Sequence, residues 1–224
     1  MKDIAIYGAG GLGREIACLL KHINQSEGKI WNLIGFFDDG KEIGSTTAYG
    51  PILGGMKELN IYHKPLSIAI AIGSPKTLKK IVEGIKKPKI KFSKNNAPNV
   101  LFFDRNSTAM GKGNLITFGC RLSCDTTLGD FNILNGCVSL GHDATVGNYN
   151  ILMPESRVSG EVSIGNMNLL GGRCFISQQI TIGSHTTIGA GSVVLRKTKE
   201  NSLYLGNPAK KIEIGKYHFQ YATI

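Results

Sequence analysis

Residues 134–164 read LNGCVSLGHDATVGNYNILMPESRVSGEVSI, and this stretch decides the fold. Leu134, Leu140, Val146, Leu152, Val158 and Ile164 stand six apart, and the same phase runs without insertion from Met110 to Val194. A period of six fits neither a helix face nor simple strand alternation. It is the period of a hexapeptide β-helix, in which three short strands close one triangular coil of 18 residues. The aliphatic residue points inward on every side, so Ile116, Leu134, Leu152, Leu170 and Ile188 are expected to stack in one column. The position two before it is small or compact in most turns (Asn114, Cys120, Thr126, Ala144, Ser156, Cys174, Ser192). The position after it is often glycine, and Gly or Asn is expected to take the positive φ of the corners.

Working back towards the start, the first hundred residues alternate strand and helix. Ile4–Tyr7, Leu33–Phe37 and Ser67–Ile72 read as strands of a parallel sheet, with one helix running from the Gly8–Gly13 turn to about Lys21 and another over Pro75–Ile85. The fold class is therefore α/β: a Rossmann-like domain over residues 1–98, then a left-handed parallel β-helix with a tail over 99–224. Lys86–Asn99, lysine-rich and broken by Pro98, reads as the linker. Gly8, Gly10, Gly11 and Gly13 lie at a strand-to-helix turn, where backbone amides and a helix N-terminus can approach a phosphate. Asp38 and Asp39, some 25 residues on, stand where a carboxylate can bond a ribose or base edge. Taken alone, the motif suggests a dinucleotide oxidoreductase. A second nucleotide-binding half should then follow, and a β-helix follows instead.

Composition narrows the classes further. With 42% hydrophobic and 19% charged residues, the chain is globular. Its longest uncharged apolar run, Pro65–Pro75, is too short for a membrane span. No signal peptide is read, and five cysteines without paired spacing argue against a disulfide framework, so a cytoplasmic protein is expected. Cys120 and Cys174 occupy the inward small position, which favours packing over metal binding. The net charge of +10 is concentrated outside the repeat, in lysines between 76 and 94 and in Arg196, Lys197, Lys199, Lys210, Lys211 and Lys216. No nucleic-acid motif accompanies it. A solvated surface, or one that meets phosphorylated small molecules, is the reading.

Gly8–Glu15, the GFFDD segment Gly35–Asp39, the IAIG segment Ile70–Gly73, the hexapeptide rod and Gly206-Asn207-Pro208-Ala209-Lys210 together resemble the sugar-nucleotide acyltransferases. These include the UDP-4-amino-sugar N-acetyltransferases and the sialic acid O-acetyltransferase-like proteins of surface polysaccharide biosynthesis. The resemblance implies a homotrimer with acetyl-CoA as co-substrate in the groove between neighbouring rods, no metal, and a nucleotide-sugar on the first domain through Gly8, Gly10, Gly11, Gly13, Asp38 and Asp39. It implies His142 as catalytic histidine and Asp143 as its orienting acid. It places Asn135 near the thioester and Gly160, Gly172 and Ala190 along the pantetheine arm. Gly172 and Ala190 are 18 apart and should stack on successive coils. Lys210 is expected beside the coenzyme phosphates. Three positions depart from the family pattern: Ile151, where some members carry a second histidine, Phe102-Phe103-Asp104 and Leu78.

The residues support that chemistry independently. Acyl transfer from a thioester needs a base for the attacking group and donors for the oxyanion. His142 follows Gly141 at a corner, outside the aliphatic core, and a buried aspartate at 143 would fix its tautomer. His22 and His63 belong to the first domain, His185 to a surface corner and His218 to the tail. No Cys or Ser has a nucleophile setting, so direct attack is preferred over an acyl-enzyme. Two other readings stay open: an O-acetyltransferase on a free acceptor such as sialic acid or serine, and a non-catalytic sugar-nucleotide-binding trimer.

Overall fold

The computed structural model describes residues 1–213. Lys216 and His218 lie outside the described residues. The first unit is a six-stranded sheet: β1 (Lys2–Tyr7), β2 (Trp31–Phe37), β3 (Thr46–Thr47), β4 (Gly50–Gly54), β5 (Leu66–Ile70) and β6 (Ile90–Phe92), in the order β3-β4-β2-β1-β5-β6. All neighbours are parallel except the short β3–β4 pair. β1 is buried from Ile4 onward, as an uninterrupted apolar run between two parallel neighbours requires. Helix α1 (Gly11–Ser26) buries Ile16, Leu19, Leu20 and Ile23 on one face. Helix α3 (Pro75–Gly84) opens with Pro75 after Ser74, whose hydroxyl accepts from the Thr77 amide at 3.4 Å. The chain passes from β1 to β2 on one side and to β5 on the other. The carboxyl end of β1 is thus the topological switch point where such sheets bind ligands.

β3, β4 and a short helix α2 (Met56–Ile61) were not foreseen. Their sequence is interrupted by Gly50, Pro51, Gly54 and Gly55, which reads as loop until the pairing of β4 with β2 is seen. The expected linker is also structured. β6 extends the first sheet, and only two residues later Asn95–Asn96 pairs with Leu115–Ile116 as a rung of the rod.

The rod is a left-handed parallel β-helix of two-residue strands, closed into three sheets. Ile116, Leu134, Leu152, Leu170 and Ile188 are direct partners in successive rungs, each fully buried. The small inward positions are likewise buried. Four of them, Asn114, Asn132, Asn150 and Asn168, form a ladder in which each side-chain oxygen accepts from the amide of the next coil at 2.7–2.9 Å. The ladder pairs the side-chain oxygens inside the core, while Asn168 Nδ2 is buried without a hydrogen-bond partner among the described residues.

The corners correct one expectation. Positive φ falls three residues after the inward aliphatic and is held by Gly113, Gly119 and Gly191, but by eleven non-glycine residues between them, among them Asp125, Phe131, Asp143 and Glu161. Each left-handed residue costs about 1–2 kcal/mol, and each is anchored by its amide to the preceding coil, as Glu161 is to His142 O at 2.8 Å. The recurrent glycine just after the aliphatic has a different cause. At Gly129, Gly147 and Gly171 a Cβ would run into the backbone of the next coil.

The three outer faces differ. The strand residues Thr127, Thr145, Ser163 and Thr181 make one face polar. A second carries Arg121, Ser139, Arg157 and Phe175. The third, with Leu115, Ile133 and Ile151, is apolar and shares one core with Ile16, Leu20 and the rest of the first unit. This outer face is thus a covered internal seam. Phe131 anchors it, edge-on to Phe92 at 4.8 Å and stacked on Tyr149 at 5.4 Å. His22 meets Phe118 edge-on at 5.2 Å. Ile151 is 1% exposed in the same seam, which accounts for an aliphatic side chain at that position.

Candidate active site

Rung spacing fixes what a corner can bring together. Residues 18 apart lie on adjacent coils, so Cys124, His142 and Gly160 form one column at the corner between the second face and the polar face. His142 Nδ1 lies 2.8 Å from Asp143 Oδ2. Because the carboxylate only accepts, the imidazole donates through Nδ1 and leaves Nε2 bare. A Cβ built on Gly160 would stand 2.5 Å from that Nε2, so the ring lies across the glycine of the next coil. The backbone holds the pair from behind: the Asp143 amide donates to Cys124 O at 3.1 Å. Asp143 was expected to be buried. Its side chain and that of His142 are each 57% exposed in a single chain, because a corner in the left-handed conformation throws its side chain outward.

The other expected residues sit elsewhere. Asn135, Gly172 and Ala190 share the next corner, across the face that carries Arg121 and Arg157. Gly172 and Ala190 are on adjacent coils there, with the Gly191 amide donating to Gly172 O at 2.8 Å. Asn135 Oδ1 accepts from the Gly136 amide at 2.9 Å and from Thr117 Oγ1 at 3.2 Å. Lys210 is exposed on the strand Lys210–Ile212, which pairs antiparallel with Leu203–Leu205 beyond the last complete coil. One copy of the chain therefore presents His142, Asp143 and Gly160 on one edge and Asn135, Gly172, Ala190 and Lys210 on another. It does not bring the two sets together.

In the first unit, Gly8 (φ +102°) and Gly13 are glycines by necessity. A Cβ on Gly8 would stand 2.6 Å from Ala71 O, and one on Gly13 would collide with Gly8 O. Gly10 and Gly11 have nothing within 4 Å of an added Cβ, so the loop has open space above them. Gly10 caps α1 without a side chain, which leaves the first-turn amides without a side-chain acceptor. The two aspartates are engaged in hydrogen bonds within the chain. Asp38 accepts from the Ala9 amide at 2.7 Å and the Gly40 amide at 2.9 Å. Asp39 accepts from Tyr7 Oη at 2.6 Å and from the Met56 amide, at the start of α2, at 2.8 Å. Burial, then the bond to Asp39, pushes the Tyr7 phenol well above its ordinary pKa, so it stays a donor. Sequence reasoning missed Tyr7, and it missed Cys124 and Gly160 as neighbours of His142. The last two follow from counting 18 in each direction.

Among the described residues no helix is long and apolar enough to cross a membrane, and no group of three or more His, Cys, Asp or Glu is placed to hold a metal ion.

Comparison with known proteins adds the family. Residues 3–85 match the PglD N-terminal domain. No curated protein matches the chain. Among solved structures, the acetyltransferase domain of PglB from Neisseria gonorrhoeae FA1090 superposes with a TM-score of 0.85 at 25% identity, over 95% of this chain and 100% of that one. The same domain in complex with acetyl coenzyme A gives 0.84 at 25% identity, over 94% and 99%. PerB from Caulobacter crescentus, in complex with CoA and GDP-perosamine, shares the fold with a TM-score of 0.84 at 23% identity, over 95% and 98%. With a PglD N-terminal domain over residues 3–85 on a left-handed β-helix, arranged as in the gonococcal acetyltransferase domain, this chain is similar to the hexapeptide-repeat sugar acyltransferases.

Proposed function

We propose that the protein transfers an acetyl group from acetyl-CoA to an amine of a nucleotide-linked sugar, with His142 as general base. The observation that carries this reading is the order of residues along the rod. Gly172 and Ala190 lie two and three rungs beyond the coil that bears His142, and Tyr204, on the strand that pairs with Lys210, lies four rungs beyond. At about 4.8 Å per rung that is roughly 19 Å, a length suited to a thioester at His142, a pantetheine arm along Gly172 and Ala190, and phosphates at Lys210. Acetyl coenzyme A is bound in the gonococcal neighbour of the same fold.

His142 and the other groove residues lie on different corners, so the site is completed by a second copy. In a homotrimer the His142 corner of one rod faces the Asn135–Lys210 corner of the next, and Asp143 is then shielded from water. In the reaction, Nε2 of His142 takes the proton of the attacking amine while Asp143 stabilises the imidazolium. The C–N bond forms as the C–S bond breaks, and coenzyme A leaves as a thiol once that proton reaches the sulfur. The first domain holds the acceptor by its nucleotide, with phosphates over Gly10 and Gly11 at the open N-terminus of α1. Asp38 and Asp39 shape this pocket and offer their remaining lone pairs to the nucleoside.

The reading is tested by coenzyme A release from acetyl-CoA with UDP- and GDP-linked amino sugars, free sialic acids and serine. Turnover with a nucleotide-linked amine is expected; turnover with only a free acceptor would move the site away from the first domain. Light scattering should give a trimer, and a stable monomer at micromolar concentration would contradict a shared groove.

A further inference from the structure

Gly160 is the one glycine at a rod corner whose added Cβ would meet an imidazole. Its φ is ordinary, so backbone conformation does not require glycine there. The three atoms nearest an added Cβ are Nε2, Cε1 and Cδ2 of His142, at 2.5, 2.6 and 3.0 Å. At Gly129, Gly147 and Gly171, by contrast, the nearest atoms include backbone of the following coil, and coil packing explains the glycine. Gly160 is itself buried while the histidine next to it is exposed.

We propose that Gly160 is a positioning residue: its missing side chain is the seat on which the His142 ring lies, and it sets the direction of Nε2. The proposal rests on the reading of His142 as general base for its consequence in turnover, but not for the geometry. Two contacts fix the ring. Asp143 holds the Nδ1 edge, and the bare surface of Gly160 supports the Nε2 edge. A methyl group at 160 displaces the ring before it displaces the backbone, because a side chain yields more easily than two hydrogen-bonded coils. The Asp143 contact then has to lengthen or turn, and the preference for the Nδ1–H tautomer weakens with it.

The test uses the unliganded full chain. Long-range proton–nitrogen spectra of the imidazoles, with His142 assigned by its loss in His142→Ala, should show one dominant Nδ1–H tautomer in the wild type. Gly160→Ala should shift both nitrogens towards a tautomer mixture. Gly136→Ala, a corner substitution whose Cβ would meet only Phe118 O at 3.9 Å, should leave them unchanged. In the acetyltransferase assay Gly160→Ala should lower kcat about 10²-fold, the scale of a misplaced reacting group, with KM for acetyl-CoA within about twofold. Unchanged His142 nitrogens in Gly160→Ala, or a raised KM with kcat intact, would overturn the proposal. If Gly160→Ala does not fold, the double variant His142→Ala/Gly160→Ala decides. Folding once the ring is removed supports the seat, and failure to fold refutes it. The spectra need no acceptor, so a wild type without turnover sinks the acetyltransferase reading and leaves the seat to be judged on the nitrogens.

Discussion

Phe131→Ala tests the seam between the first unit and the rod. Phe131 is 2% exposed, packs edge-on to Phe92 and flat on Tyr149, and has the Lys112 ammonium 5.8 Å from its ring centre. Truncating a buried phenylalanine costs about 3–5 kcal/mol, a range that already contains the two aromatic pairs at about 0.5–1.5 kcal/mol each. The left-handed backbone at φ 55° strains alanine as much as phenylalanine, so that cost cancels. Gly113, whose absent Cβ makes room for the Phe131 ring, cannot fill the void. A loss of about 4 kcal/mol is therefore expected, a large share of the roughly 5–15 kcal/mol of a typical domain. Urea unfolding followed by Trp31 fluorescence reports the first unit, and limited proteolysis near residues 86–94 reports its release from the rod. A loss below about 1 kcal/mol, with unchanged proteolysis, would show that the seam does not depend on this stack.

Three further outcomes follow from other parts of the molecule. Burial pushes the Cys120 thiol up to about 12 and the Cys174 thiol to about 11; iodoacetamide at pH 8 with mass spectrometry should therefore modify exposed Cys137 and spare both. The folded state holds those two protons more tightly than the unfolded chain, so their contribution to stability is complete below the unfolded thiol pKa and is lost as pH rises from there towards 11–12; melts that sharpen above pH 9 would contradict this. Gly11→Ala should stabilise the fold by about 0.4–1 kcal/mol, since its Cβ meets nothing within 4 Å. It should also weaken nucleotide-sugar binding at least about tenfold by filling the space over the loop, and unchanged calorimetric affinity would remove the loop from the site. Affinity for acetyl-CoA should fall as salt rises, and Lys210→Ala should flatten that dependence; the wild-type slope in the variant would place the phosphates elsewhere.

Much of this architecture is legible in the chain because a six-residue period with inward aliphatics has one physical solution. The same count assigns His142, Gly160, Gly172 and Ala190 to their rungs. What it hides is why each glycine is there. Gly129 and Gly147 mark the corners in sequence, but their cause is the closeness of the next coil, which no single coil displays. The positive φ sits at Asp143 or Tyr149 instead, where backbone pairing to the previous coil overrides residue preference. The covered face was readable in principle. The residue before the inward aliphatic is Leu115, Ile133, Ile151 and Leu169 on one side but Thr127, Thr145 and Ser163 on another, a contrast visible only after the period is split into three. The bonds that Asp38 and Asp39 make within the chain could not be read, since their partners Ala9, Tyr7 and Met56 come from distant segments.

The central claim is that His142 is the base of an acetyl transfer, and turnover of His142→Ala with the best nucleotide-linked acceptor tests it most directly. Coenzyme A release should fall by about 10²–10⁴-fold. Acetyl-CoA binding should change little, because the proposed pantetheine contacts at Gly172 and Ala190 lie on the other corner. Asp143→Asn should cost less, since it removes orientation and charge but keeps the imidazole. A His142→Ala protein that releases coenzyme A at close to the wild-type rate would contradict the account and place the base elsewhere.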